Sequence, residues 1–233
     1  MIKYLSRTSI NKIYEKVEPT INAKKVYIFC EGEDREYKYF QYFEGFSSNI
    51  DIIPIPSVKG NSDPVKLKES AELLFLSDNP KYMLNEDYKD EIWFVIDTDR
   101  WNEHNRLQPL KDFCKAWNEI YNGWKIAQSN PCFELWLYYH FLDSKPKEND
   151  IKRFLSFKEY VNHQIKGGFD SRSMPVELES AIDNSLKNFE IENNQPKLYS
   201  TEVHNLGIVV LPFIKIQLDK AKKMRVAQYP FET

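Results

Sequence analysis

The segment Ile92-Trp93-Phe94-Val95-Ile96-Asp97-Thr98-Asp99-Arg100 constrains the fold of this chain more than any other. Five apolar residues, β-branched or aromatic for the most part, run without interruption into two aspartates. A run of this kind suits a strand buried on both faces, as in a parallel sheet covered by helices. Side chains alternate along a strand, so Asp97 and Asp99 project to the same side if strand geometry persists. Two carboxylates at the mouth of an apolar strand repel each other unless a positive charge lies between them. A hard divalent cation such as Mg²⁺ fits that place. Open α/β sheets bind ligands at the carboxyl ends of their strands, which is where the pair falls. The same residues also suit a plainer arrangement, with Asp97 starting a turn and Asp99 capping the next helix.

The rest of the chain alternates around this strand. Residues 1–24 are a polar lead-in. Lys25–Cys30 reads as a buried strand ending at Glu31-Gly32, and residues 33–44 as a helix with Tyr37, Phe40 and Phe43 on one face. Residues 51–58 are β-rich, but Pro54 and Pro56 push them to a sheet edge. Pro64 opens a helix, residues 107–121 form an amphipathic one, 124–128 a short strand and 132–141 a buried helix. Four strands alternating with helices over residues 25–143 predict an α/β core with a mostly parallel four-stranded sheet. From residue 144 the pattern predicts a helical C-terminal appendage on the α/β core, with helices near 151–162, 175–190 and 201–219 and no strand. Pro212 is expected to kink or split the last helix.

Composition sets the outer bounds. With 42% apolar and 29% charged residues the chain is expected to fold, and 7 glycines argue against a glycine-rich nucleotide loop. A net charge of −3 gives no global basic footprint, so nucleic-acid contact would need a local patch. The most basic run, Lys215, Lys220, Lys222, Lys223 and Arg225, reads first as a solvated helix face. Cys30, Cys114 and Cys132 form no C-x-x-C pair, and Cys30 and Cys114 read as buried reduced thiols. With no apolar leader and no stretch of ~18 apolar residues, a soluble, cytoplasmic protein is expected.

Glu31 ends the first strand and Asp97 the third. In a sheet of order 2-1-3-4 these strands are neighbours, so Glu31, Asp97 and Asp99 converge at one crevice. Three such carboxylates would raise one another's pKa values without a cation. Glu36, in the first turn of its helix, suits either the helix dipole or the site. Glu134, inside an apolar helix, needs either a helix-end amide or a metal centre as partner. His140 reads as a core histidine, Asn130 as a helix cap, and Lys59 and Lys166 as turn lysines.

These residues carry a family resemblance. Phe29-Cys30-Glu31-Gly32-Glu33 with Glu36 and Tyr39-Phe40, then Ile96-Asp97-Thr98-Asp99-Arg100, resemble the RloB family. So do Ser129-Asn130-Pro131-Cys132-Phe133-Glu134-Leu135-Trp136-Leu137 with His140-Phe141, and Ser200-Thr201-Glu202-Val203-His204. Arg35, preceded by Asp34, stands where that family usually has Thr. The resemblance implies a Toprim-like fold and a Mg²⁺-dependent nuclease, with Mn²⁺ as the substitute ion. It implies a nucleic-acid substrate, DNA or RNA, and a role in phage defence or abortive infection beside an ABC- or AAA-type ATPase partner. Glu31, Asp97 and Asp99 are the expected metal ligands, and Glu31, Asp97, Asp99, Glu36 and Glu134 the expected catalytic set. The rival is a non-catalytic, metal-binding subunit that senses or docks on the ATPase. A phosphoacceptor receiver fits less well, because its acidic pair belongs at the first strand.

Overall fold

The computed structural model describes residues 16–32, 34–57, 63–98 and 106–228. Four parallel strands, β1 (Lys24–Cys30), β2 (Ile50–Pro56), β3 (Glu91–Asp97) and β4 (Trp124–Asn130), pair in the order β2-β1-β3-β4. This is the expected α/β sheet, with the proline-bearing β2 at one edge. The chain leaves β1 for one neighbour and returns through β3 on the other side. The ends of β1 and β3 therefore flank a topological switch point.

The period of two along β1 and β3 divides their side chains between two apolar layers. Val26, Ile28 and Cys30 with Trp93 and Val95 pack against α1 (Arg35–Gln41), α4 (Glu134–Tyr139), α7 (Leu178–Lys187) and α8 (Val203–Gln228). Tyr27 and Phe29 with Ile92, Phe94 and Ile96 pack against α2 (Pro64–Ala71) and α3 (Gln108–Asn118). Burial on both faces explains the unbroken apolar runs. Each fully buried Ile or Phe contributes about 1.5–3 kcal/mol relative to exposure. By the same period, Asp97 falls on the Val95 face, toward α4.

The C-terminal third departs from expectation in two ways. It supplies strands as well as helices. After α5 (Glu148–Ile151) and α6 (Phe157–Gln164), a small hairpin of β5 (Ile191–Glu192) and β6 (Gln195–Pro196) leads to β7 (Ser200–Thr201), which lies antiparallel to the end of β4. Strands of two residues carry too little alternation to be seen in sequence. It also belongs to the core. Val203, Leu206, Val210, Ile214, Leu218 and Ala221 of α8 line the apolar layer on the Val95 side of the sheet. Gly207 lets α8 approach α7, since a Cβ there would lie 2.9 Å from Ile182 Cγ1. Pro212 does not split α8. It sits on the exposed face, one turn after exposed Ile208, whose carbonyl loses its partner where solvent can replace it.

No helix among the described residues is long and apolar enough to cross a membrane.

Candidate metal centre at the ends of the first and third strands

Three elements bring acidic side chains to the switch point. At the end of β1, Glu31 extends the ladder by donating its N–H to Val95 O (3.3 Å), and its Oε2 accepts from the Asp97 N–H (2.8 Å). At the end of β3, Asp97 Oδ1 accepts from the Phe133 N–H (2.8 Å) as the chain enters α4. Thr98 N–H is shared between Ser129 O (2.9 Å) and Pro131 O (3.0 Å), which pins the start of the segment carrying Asp99. Asp99 itself lies outside the described residues, as does Lys59.

Asp97, not Asn130, satisfies an amide at the start of α4. Asn130 turns the other way and donates from Nδ2 to Pro196 O (2.9 Å), so its expected capping role is corrected. Its backbone pairs with β7 in the sheet, and the β6 carbonyl brought alongside was the hidden competitor for its side chain.

Glu36, in α1, is buried with its carboxylate folded back over Gly32. A Cβ on Gly32 would stand 2.0 Å from Glu36 Oε2, so a side chain there would have to displace the Glu36 carboxylate from this position. Burial raises the Glu36 carboxyl. Its own backbone amide opposes that rise, Glu134 adds to it, and Lys158 and Arg35 oppose it.

Glu134 is only 3% exposed. Its Oε1 meets Arg35 Nη1 at 2.9 Å and Lys158 Nζ of α6 at 3.6 Å, so its first partner is a cation rather than a helix-end amide. Among the described residues its buried Oε2 has no hydrogen-bond partner, a costly condition for a carboxylate oxygen. One oxygen each of Asp97 and Glu134 and the Cys132 Sγ lie within 4.8 Å of one another, a donor set able to hold a metal ion.

The electrostatics agree. Burial pushes the Asp97 carboxyl well above the usual carboxylate range, and Glu31, Glu36 and Glu134 push it further, against Lys158. Burial also raises the Cys132 thiol, with Glu134 and Asp97 adding to the rise. Burial alone would lower Lys158, yet Glu134, Asp97, Cys132 and Glu36 together raise it. Among the described residues the acidic groups outweigh the two cations, Arg35 and Lys158, that meet Glu134. The orphaned Glu134 oxygen and the clustered donors make the pocket's residues a fit for a divalent cation.

The structure thus brings together Glu31, Glu36, Asp97 and Glu134 from the expected set. Arg35, Lys158 and Cys132 were missed as site residues. Arg35 was visible only as a basic residue out of pattern, and Cys132 only as a polarisable side chain two residues before Glu134. Lys158 carries no local signal. His140 is a core histidine as expected, bonded to Trp136 O (2.9 Å) and Tyr39 Oη (3.1 Å). The basic run of α8 is largely occupied within the fold. Lys215 pairs with Glu179, and Lys222 and Arg225 with Glu177.

A family model described as RloB-like protein matches residues 26–207 of the chain. No curated protein and no solved structure matches it.

Proposed function

Because the chain belongs to the RloB-like family, we propose that it is a divalent-metal-dependent nuclease of Toprim type. The observation that carries this reading is the buried acidic pocket at the β1/β3 switch point, where Glu134 Oε2, beside Asp97 and Cys132, has no hydrogen-bond partner among the described residues. Asp97, Asp99 and Glu31 are the carboxylates we assign to hold Mg²⁺, or Mn²⁺ in its place. When bound, such a cation supplies Lewis-acid polarisation of a phosphoryl oxygen.

The other residues take roles set by their surroundings. Glu36, a buried carboxylate whose carboxyl burial raises, is the group we assign to accept a proton from an attacking water, and Glu31 is the second carboxylate in reach of that task. Lys158, half exposed, holds a positive charge at the rim where a phosphate would arrive. Arg35 fixes Glu134 by its 2.9 Å ion pair. The substrate is nucleic acid, DNA or RNA. The family resemblance supports an effector role in phage defence or abortive infection with an ABC- or AAA-type ATPase partner. A net charge of −3 supports weak substrate binding by the isolated chain.

The test is to purify the chain alone and with the ATPase encoded beside it, then measure cleavage of single- and double-stranded DNA and RNA with Mg²⁺, with Mn²⁺ and with chelator. Metal-dependent cleavage that Asp97→Asn abolishes, and that the ATPase enhances, is expected. Metal binding without cleavage in any arm would replace this reading with a non-catalytic subunit that docks on the ATPase.

A further inference from the structure

The three cysteines occupy different surroundings. Cys30 lies in the apolar layer beneath α1 and α8, and Cys114 in the layer beneath α2 and α3, as small hydrophobes do. Cys132 is equally buried, at 1% exposed, but belongs to no apolar cluster among the described residues. Its Sγ stands instead beside oxygens of Asp97 and Glu134, all within 4.8 Å of one another. A thiol placed to fill apolar space would not have two carboxylates as company. The second observation concerns Glu134, whose carboxylate the Cys132 thiol faces. Glu134 is 3% exposed, Arg35 and Lys158 both meet its Oε1, and its buried Oε2 has no hydrogen-bond partner among the described residues.

We propose that Cys132 is a metal ligand, and that with Asp97 and Glu134 it forms a mixed oxygen–sulfur site for a borderline divalent ion of the Mn²⁺, Co²⁺ or Zn²⁺ class in preference to Mg²⁺. This deepens the metal dependence proposed above and rests on it for one point, that Asp97 faces a cation. Binding forms a metal–sulfur bond as the S–H bond breaks and its proton leaves to water, with no change of oxidation state. Mg²⁺ prefers oxygen donors in a near-octahedral shell, whereas a thiolate favours softer ions. Arg35, held on Glu134 Oε1, would leave the other oxygen for the ion, while half-exposed Lys158 is free to swing toward solvent as the ion's charge arrives.

The test is anaerobic titration of the full chain with Co²⁺, followed by near-ultraviolet absorption. A thiolate-to-cobalt charge-transfer band is expected in the wild type, in Cys30→Ser and in Cys114→Ser, and is expected to vanish in Cys132→Ser. Mg²⁺ should compete poorly with Co²⁺ in the wild type. That preference should shrink at least on the order of tenfold in Cys132→Ser, since losing a ligand costs no less than losing a supporting partner. Cd²⁺ NMR of the unmodified protein needs no variant to fold, and a shift typical of mixed oxygen–sulfur coordination is expected. An all-oxygen cadmium shift, or a cobalt band that survives Cys132→Ser, overturns the proposal while leaving a carboxylate-held metal nuclease standing. Sulfur ligation in a chain that cleaves nothing would do the reverse.

Discussion

Glu31 Oε2 accepts the backbone N–H of Asp97 at 2.8 Å, so the side chain that ends β1 fixes the main chain that ends β3. The bond crosses the switch point and is buried. It gives Glu31 an aligning task in addition to the ligand or proton-transfer role proposed for it. Asp97 then passes the alignment on, because its Oδ1 receives the Phe133 amide ahead of Cys132 and Glu134. One chain of hydrogen bonds thus sets the relative positions of β1, β3 and α4.

Glu31→Gln and Glu31→Ala should separate these tasks. Glutamine retains an amide oxygen to accept from the Asp97 N–H, so stability is expected to change by less than ~1 kcal/mol. Alanine leaves that buried amide without its acceptor and should cost about 1–3 kcal/mol. Urea unfolding measures the difference. Both variants should bind Mn²⁺ more weakly, as read by its paramagnetic resonance signal. Equal stability of the two would show that the hydrogen bond does not hold the strand ends.

Asp97→Asn should lose metal binding and activity yet fold at least as well as the wild type in metal-free buffer. An asparagine Oδ1 can still accept from Phe133 N, and the substitution removes the carboxyl that burial and three neighbouring glutamates disfavour in its charged form. The sign follows from proton counting. The folded Asp97 carboxyl is raised, so the folded state binds more protons, and the wild type loses stability as pH rises from the ordinary carboxylate range through that raised value. The variant lacks this loss. Added Mn²⁺ should raise the melting temperature of the wild type only. A metal-free variant melting far below the wild type would reassign Asp97 to structure.

Much of the fold was legible because its causes are local. The apolar runs of β1 and β3 announce burial on both faces, and Pro54 and Pro56 announce an edge. Glu31 and Asp97 were found together because strand ends and strand order suffice to pair them. Glu134 drew notice as a charge in an apolar helix, the kind of local conflict that marks a site. What escaped depends on distant segments. Lys158 reaches Glu134 from α6, Asn130 was claimed by the β6 backbone, and β7 is a strand only because the end of β4 offers it an edge.

Arg35 and Glu134 should move cation affinity in opposite directions. Arg35→Met removes a positive charge from a negative pocket, so Mn²⁺ should bind more tightly, and the metal-free protein should be less stable with Glu134 less compensated. Glu134→Gln removes a negative charge and one of the clustered donors, so Mn²⁺ should bind at least ~10-fold more weakly. Isothermal titration reads both. Weaker binding in Arg35→Met would mean that Arg35 serves chiefly to hold Glu134 in place rather than to compete with the ion.

His140 should make the fold acid-sensitive independently of the acidic pocket. Its ring is enclosed between Tyr39 and Trp136, with Nδ1–H donating to Trp136 O and Nε2 accepting from Tyr39 Oη–H. In that tautomer a second proton on Nε2 would require the buried Tyr39 hydroxyl to turn from donor to acceptor. Burial lowers the ring to about 3, with the Trp136 carbonyl opposing the fall and no charged side chain contributing. An unfolded histidine titrates near ~6.5, so between those values the unfolded state binds the extra proton and the folded state does not. Stability from this group is complete above roughly pH 6.5 and is lost as pH falls through the window, by about 2 kcal/mol between pH 7 and pH 5. The raised carboxyls of Asp97 and Glu36 work with the opposite sign, so the measurement must be a difference. His140→Phe should be less stable than the wild type at pH 7, because Tyr39 Oη and Trp136 O lose a partner. The gap should then narrow by about 2 kcal/mol at pH 5 in urea unfolding. A gap that stays constant with pH would mean that the folded ring takes up a proton as readily as the unfolded one.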